Sequence, residues 1–307
     1  MKKVKSFKMI IACMLILLSG VSIAFSQESI EVKVEKATMS QGVQTAYIVN
    51  IPMAVIKDVQ NNWIKRLQEN IKTKVVNVND ELVLSKVVIG EITSDTISVY
   101  SMFIQKEEGV VMNVFVKLDS LFFAPADDKS SLADEKIDNG IKNYVRKFAV
   151  DQYRLFAEKD LEAEQKIQEG LQDEYDKLGK TNEKLTKDIS SLENNIEKTE
   201  REIVDLEKEI ELKNQEVLAH KTSMQTLVLE DEKKAAASKD KDLEKEKSKL
   251  EKERTGLKDD ISDMKSDIEN NEKEIEKNTK LQEEKQQEID LQKEEVAKAQ
   301  ARLDGIK

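Results

Sequence analysis

Apolar residues recur every seven positions through residues 171–227, where Leu171, Leu178, Leu185, Leu192, Leu206 and Leu227 form one series and Ile189, Ile196, Ile203, Ile210, Val217 and Met224 a second. The positions between them are mostly Glu, Lys, Asp and Asn. A stripe this narrow cannot bury itself, so it reads as a coiled-coil seam that needs another helix. Counting in sevens fails over residues 230–242, and a second register follows with Leu243, Leu250, Leu257 and Met264 beside Ile261, Ile268, Ile275, Ile289, Val296 and Leu303. The slip in phase, with Ala235, Ala236, Ala237 and Ser238 inside it, predicts a turn or break over residues 231–242 between arm 1 (159–230) and arm 2 (243–307).

Two arms of similar length about a break suit an antiparallel helical hairpin, which would reach roughly 100 Å at 1.5 Å per residue. The alternative is a parallel homodimer, which β-branched residues in one series with Leu in the other favour. Flanking charges weigh toward the hairpin. A parallel in-register pair sets Asp188 against Glu193 and Glu202 against Glu207, with Glu216 and Lys221 the attractive pair. Folding back brings Glu200 and Glu207 near Lys258 and Lys265, although it also sets Glu209 near Asp260.

Upstream the periodicity changes. Residues 30–34 and 46–51 read as strands, and Pro52 opens a helix with Val55, Ile56, Val59, Trp63, Ile64, Leu67 and Ile71 on one face. Extended runs follow at 74–78, 82–92, 96–105 and 110–118, the last two forming a hairpin in which Gly109 supplies a left-handed turn residue. In the final run Val110, Met112, Val114, Val116 and Leu118 share one face, and Val111, Asn113, Phe115 and Lys117 the other, which implies a sheet with one buried face. Ser131 and Asp134 resemble a reciprocal cap ahead of a helix carrying Ile137, Ile141, Tyr144, Val145, Phe148, Leu155 and Phe156. Beyond Asp160 its wide stripe narrows to the coiled-coil seam, so the helix is expected to continue as a stalk through Gly170 and Gly179.

The expected fold is thus an α+β two-layer sandwich over residues 27–158, an antiparallel sheet with two helices, followed by a long all-α coiled coil. The order of its elements resembles one half of the TATA-binding-protein fold; DNA binding is not carried over, because the charge is of the wrong sign.

The address lies in residues 1–26: Lys2, Lys3, Lys5 and Lys8 precede an apolar run, and Ala24 and Ser26 mark a small-x-small cleavage site before Gln27. This predicts a secretory signal peptide and a periplasmic or cell-envelope location, with retention as an uncleaved anchor the alternative. Cleavage takes the formal net charge from −11 to −15. Nucleic acid is therefore not an expected partner, since the lysines alternate with glutamates instead of clustering. Cys13 mimics a lipid-attachment box, but too little apolar chain precedes it. As the one cysteine it leaves the mature chain without disulfide or thiol chemistry.

Little in the sequence carries catalysis. His220, the single histidine, falls on the seam, as a register or pH-sensitive position or a tolerated polar layer, and Asn182, Thr199, Asn271 and Asn278 also interrupt it. No triad, histidine metal site or glycine-rich phosphate loop is available, so neither cofactor nor metal is expected. Trp63 reads as core. Phe122 and Phe123, ahead of Pro125, either plug the end of the sheet or present an apolar patch, the expected partner contact on the globular domain.

The leader ending in a small residue before Gln27, the Pro52-led helix with Trp63 and the long Glu/Lys coiled coil together resemble uncharacterised exported proteins of the Bacteroidota type, with an N-terminal α/β domain and a C-terminal coiled coil. The resemblance spans the chain and implies export from a Gram-negative cell, with no activity attached. The sequence thus points to a structural or interaction protein whose α+β head and coiled-coil arm space or assemble protein partners. It acts as a monomeric hairpin or a homodimer, without a membrane contact after cleavage. A periplasmic holdase chaperone and a ligand-binding or enzymatic head are the two alternatives.

Overall fold

A computed structural model of the chain describes residues 30–125 and 132–307. The expected leader, Cys13 and the cap expected at Ser131 lie outside them. The chain divides into two compact units, Met1–Lys166 with Lys293–Lys307, and Ile167–Gln292.

The first unit is an antiparallel sheet with helices on one face. Strands β1 (Val32–Met39) and β2 (Gly42–Pro52) form a hairpin, helix α1 (Ile56–Leu67) follows, and β3 (Val76–Val78), β4 (Glu81–Val87), β5 (Ile97–Lys106), β6 (Gly109–Leu118) and β7 (Leu121–Phe122) complete the sheet. Its order is β1-β2-β6-β5-β4-β3, with β7 paired to β6. Helices α2 (Leu132–Met224) and α3 (Glu230–Asp304) make up the rest.

Register fixes the two faces. Tyr47 and Ser101 both oppose Val114, and Val49 and Phe103 both oppose Met112, so these residues point to the same side. That side is the core, filled by Val59, Trp63 and Leu67 of α1 and by Ile141, Tyr144, Val145 and Phe148 of α2. Trp63 is fully buried, edge-on to Tyr144 and Phe148, and its indole N–H donates to Ser101 Oγ at 2.8 Å.

Three local readings of the sequence are corrected. Pro52 closes β2 opposite Gly109 instead of opening α1; the helix starts at Ile56, whose N–H donates to Gln105 Oε1 of β5 at 2.8 Å. The 82–92 run stops at Val87 after a bulge with Lys86 at φ 55°, and Ile89–Thr93 become a turn. Gly109, at φ 153°, is required by a close approach, since a Cβ there would lie 2.2 Å from the Ile51 carbonyl oxygen. One further hairpin, β3 to β4, turns through Asn79 and Asp80, both left-handed, as a two-residue turn of this twist demands.

The C-terminal end of α3 belongs with the head. Leu303 and Ile306 pack into its core, Arg302 pairs with Asp160 at 2.5 Å, and Arg146 donates to the carbonyls of Ile30 and Lys307. The first unit therefore reaches past the 158 expected from the sequence and takes in the last part of arm 2 (243–307). Residues 159–166 and 293–307 fall within the first unit, because their apolar and charged groups are satisfied there.

The second unit is an antiparallel helical hairpin. Glu174 meets Lys285 at 2.9 Å, Glu207 meets Lys258 at 3.3 Å and Lys213 meets Glu246 at 3.0 Å, so numbers rise along α2 as they fall along α3. The turn lies at residues 225–229 and not at 231–242. The physical reason is propensity: Ala235–Ala237 are strong helix formers and stay in α3. Instead α2 unwinds through tight bonds from Gln225, Thr226 and Leu227 to Thr222, Ser223 and Met224. Glu230, Asp231 and Glu232 then occupy the positive end of α3.

Candidate functional site

Three surfaces carry the residues that the sequence singles out, or that it missed. The first is the seam. Ile203, Ile210, Val217 and Ile261 are buried, and Leu171, Leu178, Leu185, Ile189, Leu192, Ile196, Leu206, Leu250, Leu257, Met264, Ile268 and Ile275 are half-buried, facing the opposite helix of the same chain. Polar layers interrupt it. Asn182 Nδ2 donates to Gln282 Oε1 at 3.2 Å, whereas Asn182 Oδ1 and the buried Asn278 Nδ2 have no partner. His220 Nε2 donates to the Ala236 carbonyl at 2.9 Å, which ties α2 to α3 just before the turn.

Charge pairs border the seam. Lys213 sits between Glu216 and Glu246, and hydrogen bonds to both push its ammonium up to about 12. Lys221 is raised by its hydrogen bond to Glu244, whose carboxyl is held below its ordinary value in return. These pairs are exposed, so they select a register more than they add stability.

The second surface is the turn itself. Val228 is 83 % exposed and Leu229 62 %, and Leu218, within the last turns of α2, is exposed as well. A helical turn normally exposes Gly, Asn or Ser. The sequence signal was the run Leu227-Val228-Leu229, which a count in sevens absorbs as the last seam position.

The third surface is the sheet face away from the helices. Met39, Ala46 and Phe115 are buried there beneath Ala37, Ile48, Tyr100, Met102 and Phe122, all from strands. Phe122 lies 5.5 Å from the Tyr100 ring, with the Lys117 ammonium over it. Phe123 points the other way, into the main core, where its N–H donates to the Val116 carbonyl at 2.8 Å. The two phenylalanines therefore do not form a joint patch; only Phe122 belongs to this face.

Chemistry is sparse. Among the described residues no group of three His, Cys, Asp or Glu side chains is placed to hold a metal ion. An open cleft of about 750 Å³ lies between Gly90–Asp95 and the Glu135, Asn139 and Asn143 side of α2, and in its rim the Thr93 hydroxyl donates to Asp95 Oδ2 at 3.3 Å. Among the described residues no helix is long and apolar enough to cross a membrane. No family model, curated protein or solved structure matches the chain.

Proposed function

We propose that the chain is an exported, non-enzymatic interaction protein of the Gram-negative cell envelope, in which the helical hairpin presents its turn to a protein partner and the α+β head anchors the assembly. The observation that carries this reading is the exposed pair Val228 and Leu229 at the turn. The hairpin satisfies its own seam, so those side chains have no duty inside the unit, and exposed apolar clusters of this kind mark contacts. The acidic first turn of α3 beside them favours a partner whose apolar recess has a basic rim. The leader supports export.

The test is a photo-reactive amino acid placed at Val228 in cells, with Glu193 on the solvated flank as control. Discrete cross-linked species at Val228, absent at Glu193, are expected, from a periplasmic chain that begins at Gln27. The same pattern at both positions, or none at either, contradicts the reading.

A further inference from the structure

The two edges of the head sheet are built differently. At one end of the strand order stands β3, three residues long; at the other stands β1, eight residues long, without proline and in unbroken register with β2 from Val32 to Met39. Short strands, prolines and bulges are common ways of keeping an edge from pairing, and β1 has none of them. The direction of its backbone groups follows from the next strands. The Met53 N–H donates to the Glu108 carbonyl at 2.8 Å, in step with the Pro52 and Gly109 pair, so odd-numbered residues of β2 bond to β6 and even-numbered ones to β1. In β1 this commits Lys33, Glu35, Ala37 and Met39 to β2 and turns the backbone groups of Val32, Val34, Lys36 and Thr38 outward. Among the described residues no strand or loop backbone bonds to those four on that side.

We propose that this edge pairs with the same edge of a second copy of the chain, the two β1 strands running antiparallel across a two-fold axis at Val34, so that one sheet continues through both heads. The order of charges selects the register. With the axis at Val34, Lys33 of each copy lies opposite Glu35 of the other. These residues fall between the hydrogen-bonded pairs, where facing side chains come closest, about 4.5 Å between Cα atoms. Sliding one strand by two residues either way sets Lys33 against Lys33 or Glu35 against Glu35, and sliding it by one mismatches the outward backbone groups and the faces. In the favoured register the Val34 pair and the two pairs of Val32 with Lys36 supply about six backbone hydrogen bonds. On the helix side Val34, half-buried at the margin of the core, meets its own counterpart.

A like copy suits this edge better than a strand of arbitrary sequence. Lysines on an edge strand discourage pairing, and Lys33 and Lys36 are both exposed. An identical strand answers both: its Glu35 neutralises Lys33, and its Val32 lies under the aliphatic stem of Lys36. Adding one strand to another covers less than the roughly 800 Å² per partner of a standard interface, so the pairing is of the weak, concentration-dependent kind. The proposal stands apart from the contact at the turn, since none of its residues lies in the hairpin.

The experiment is sedimentation and light scattering of residues 27–307 up to about 200 μM, a range that detects even weak pairing. A mass rising from one chain to two is expected. Lys33→Glu and Glu35→Lys, both at exposed positions, each set like charges face to face twice, and each alone is expected to weaken the dimer by about tenfold or more while leaving the melting curve unchanged. An equal mixture of the two variants is expected to pair again, because every facing position then carries opposite charges. A single-chain mass throughout the range overturns the proposal and leaves the edge to a strand of another protein. A dimer that both variants leave intact is formed elsewhere and overturns it too, as does a mixture that stays apart. Cross-linking at Val228 is unaffected by any of these results, so the two readings fail separately.

Discussion

Gly140 stands where α2 passes the loop after β4, and a Cβ there would lie 2.6 Å from the Ile92 carbonyl oxygen and 3.0 Å from its Cα. Both neighbours are backbone and cannot swing aside. Gly140→Ala is therefore expected to destabilise the head by about 1–3 kcal/mol despite alanine's better helix propensity. Thermal unfolding measures this, and an unchanged midpoint would show that the loop yields. No local pattern around Gly140 discloses the contact, because its partner is 48 residues away in sequence. Trp63 was legible, since its place on an apolar stripe already puts it inside. Phe122 and Phe123 divide between the two faces for a reason that the pleat supplies: adjacent residues on a strand point to opposite sides. Asn278 and Asn182 were legible as seam interruptions but not as partly unsatisfied groups, which depends on rotamers across the hairpin.

At the scale of elements, the heptads disclosed both long helices, while equal arm lengths and flanking charges pointed to the antiparallel pairing over the parallel one, and the expected Glu207 and Lys258 pair is present at 3.3 Å. The position of the turn was hidden. A phase slip says that two registers differ, but alanines at the slip extend the second helix instead of breaking it. The second face of the sheet was visible as alternation on β6, yet Val111, Asn113, Phe115 and Lys117 mix apolar and polar residues, and only register with β2 and β5 shows that their neighbours are apolar too. The pairs along the hairpin make a prediction for alkali. Lys213, Lys221 and Lys285 all have raised values from hydrogen bonds to Glu, so their contribution is complete below 10.5 and is lost as pH rises through the raised values. In the head, burial raises Tyr144 to about 12, and burial with a bond to Asp138 raises Tyr47 further; unfolded tyrosines ionise near 10, so these groups act in the same direction. The melting midpoint, followed by circular dichroism, is therefore expected to hold to about pH 10 and fall between 10.5 and 12. A flat midpoint through that window would contradict the pairing.

Over the whole molecule, one chain divides its apolar residues between a two-layer head and a hairpin that closes its own seam. Of the apolar residues left over, Val228 and Leu229 mark the turn. The account rests on the hairpin being closed within one chain, because a seam shared with another copy would turn the exposed turn into the middle of a rod. Residues 27–307 contain no cysteine, so in that stretch Glu207→Cys with Lys258→Cys gives two unique sites for spin labels. Measured by pulsed electron resonance, with labelled chains diluted in unlabelled ones, the pair is expected less than about 20 Å apart, as ion-paired neighbours across two packed helices require. A distance near 77 Å, the length of 51 residues of uninterrupted helix at about 1.5 Å each, would contradict it.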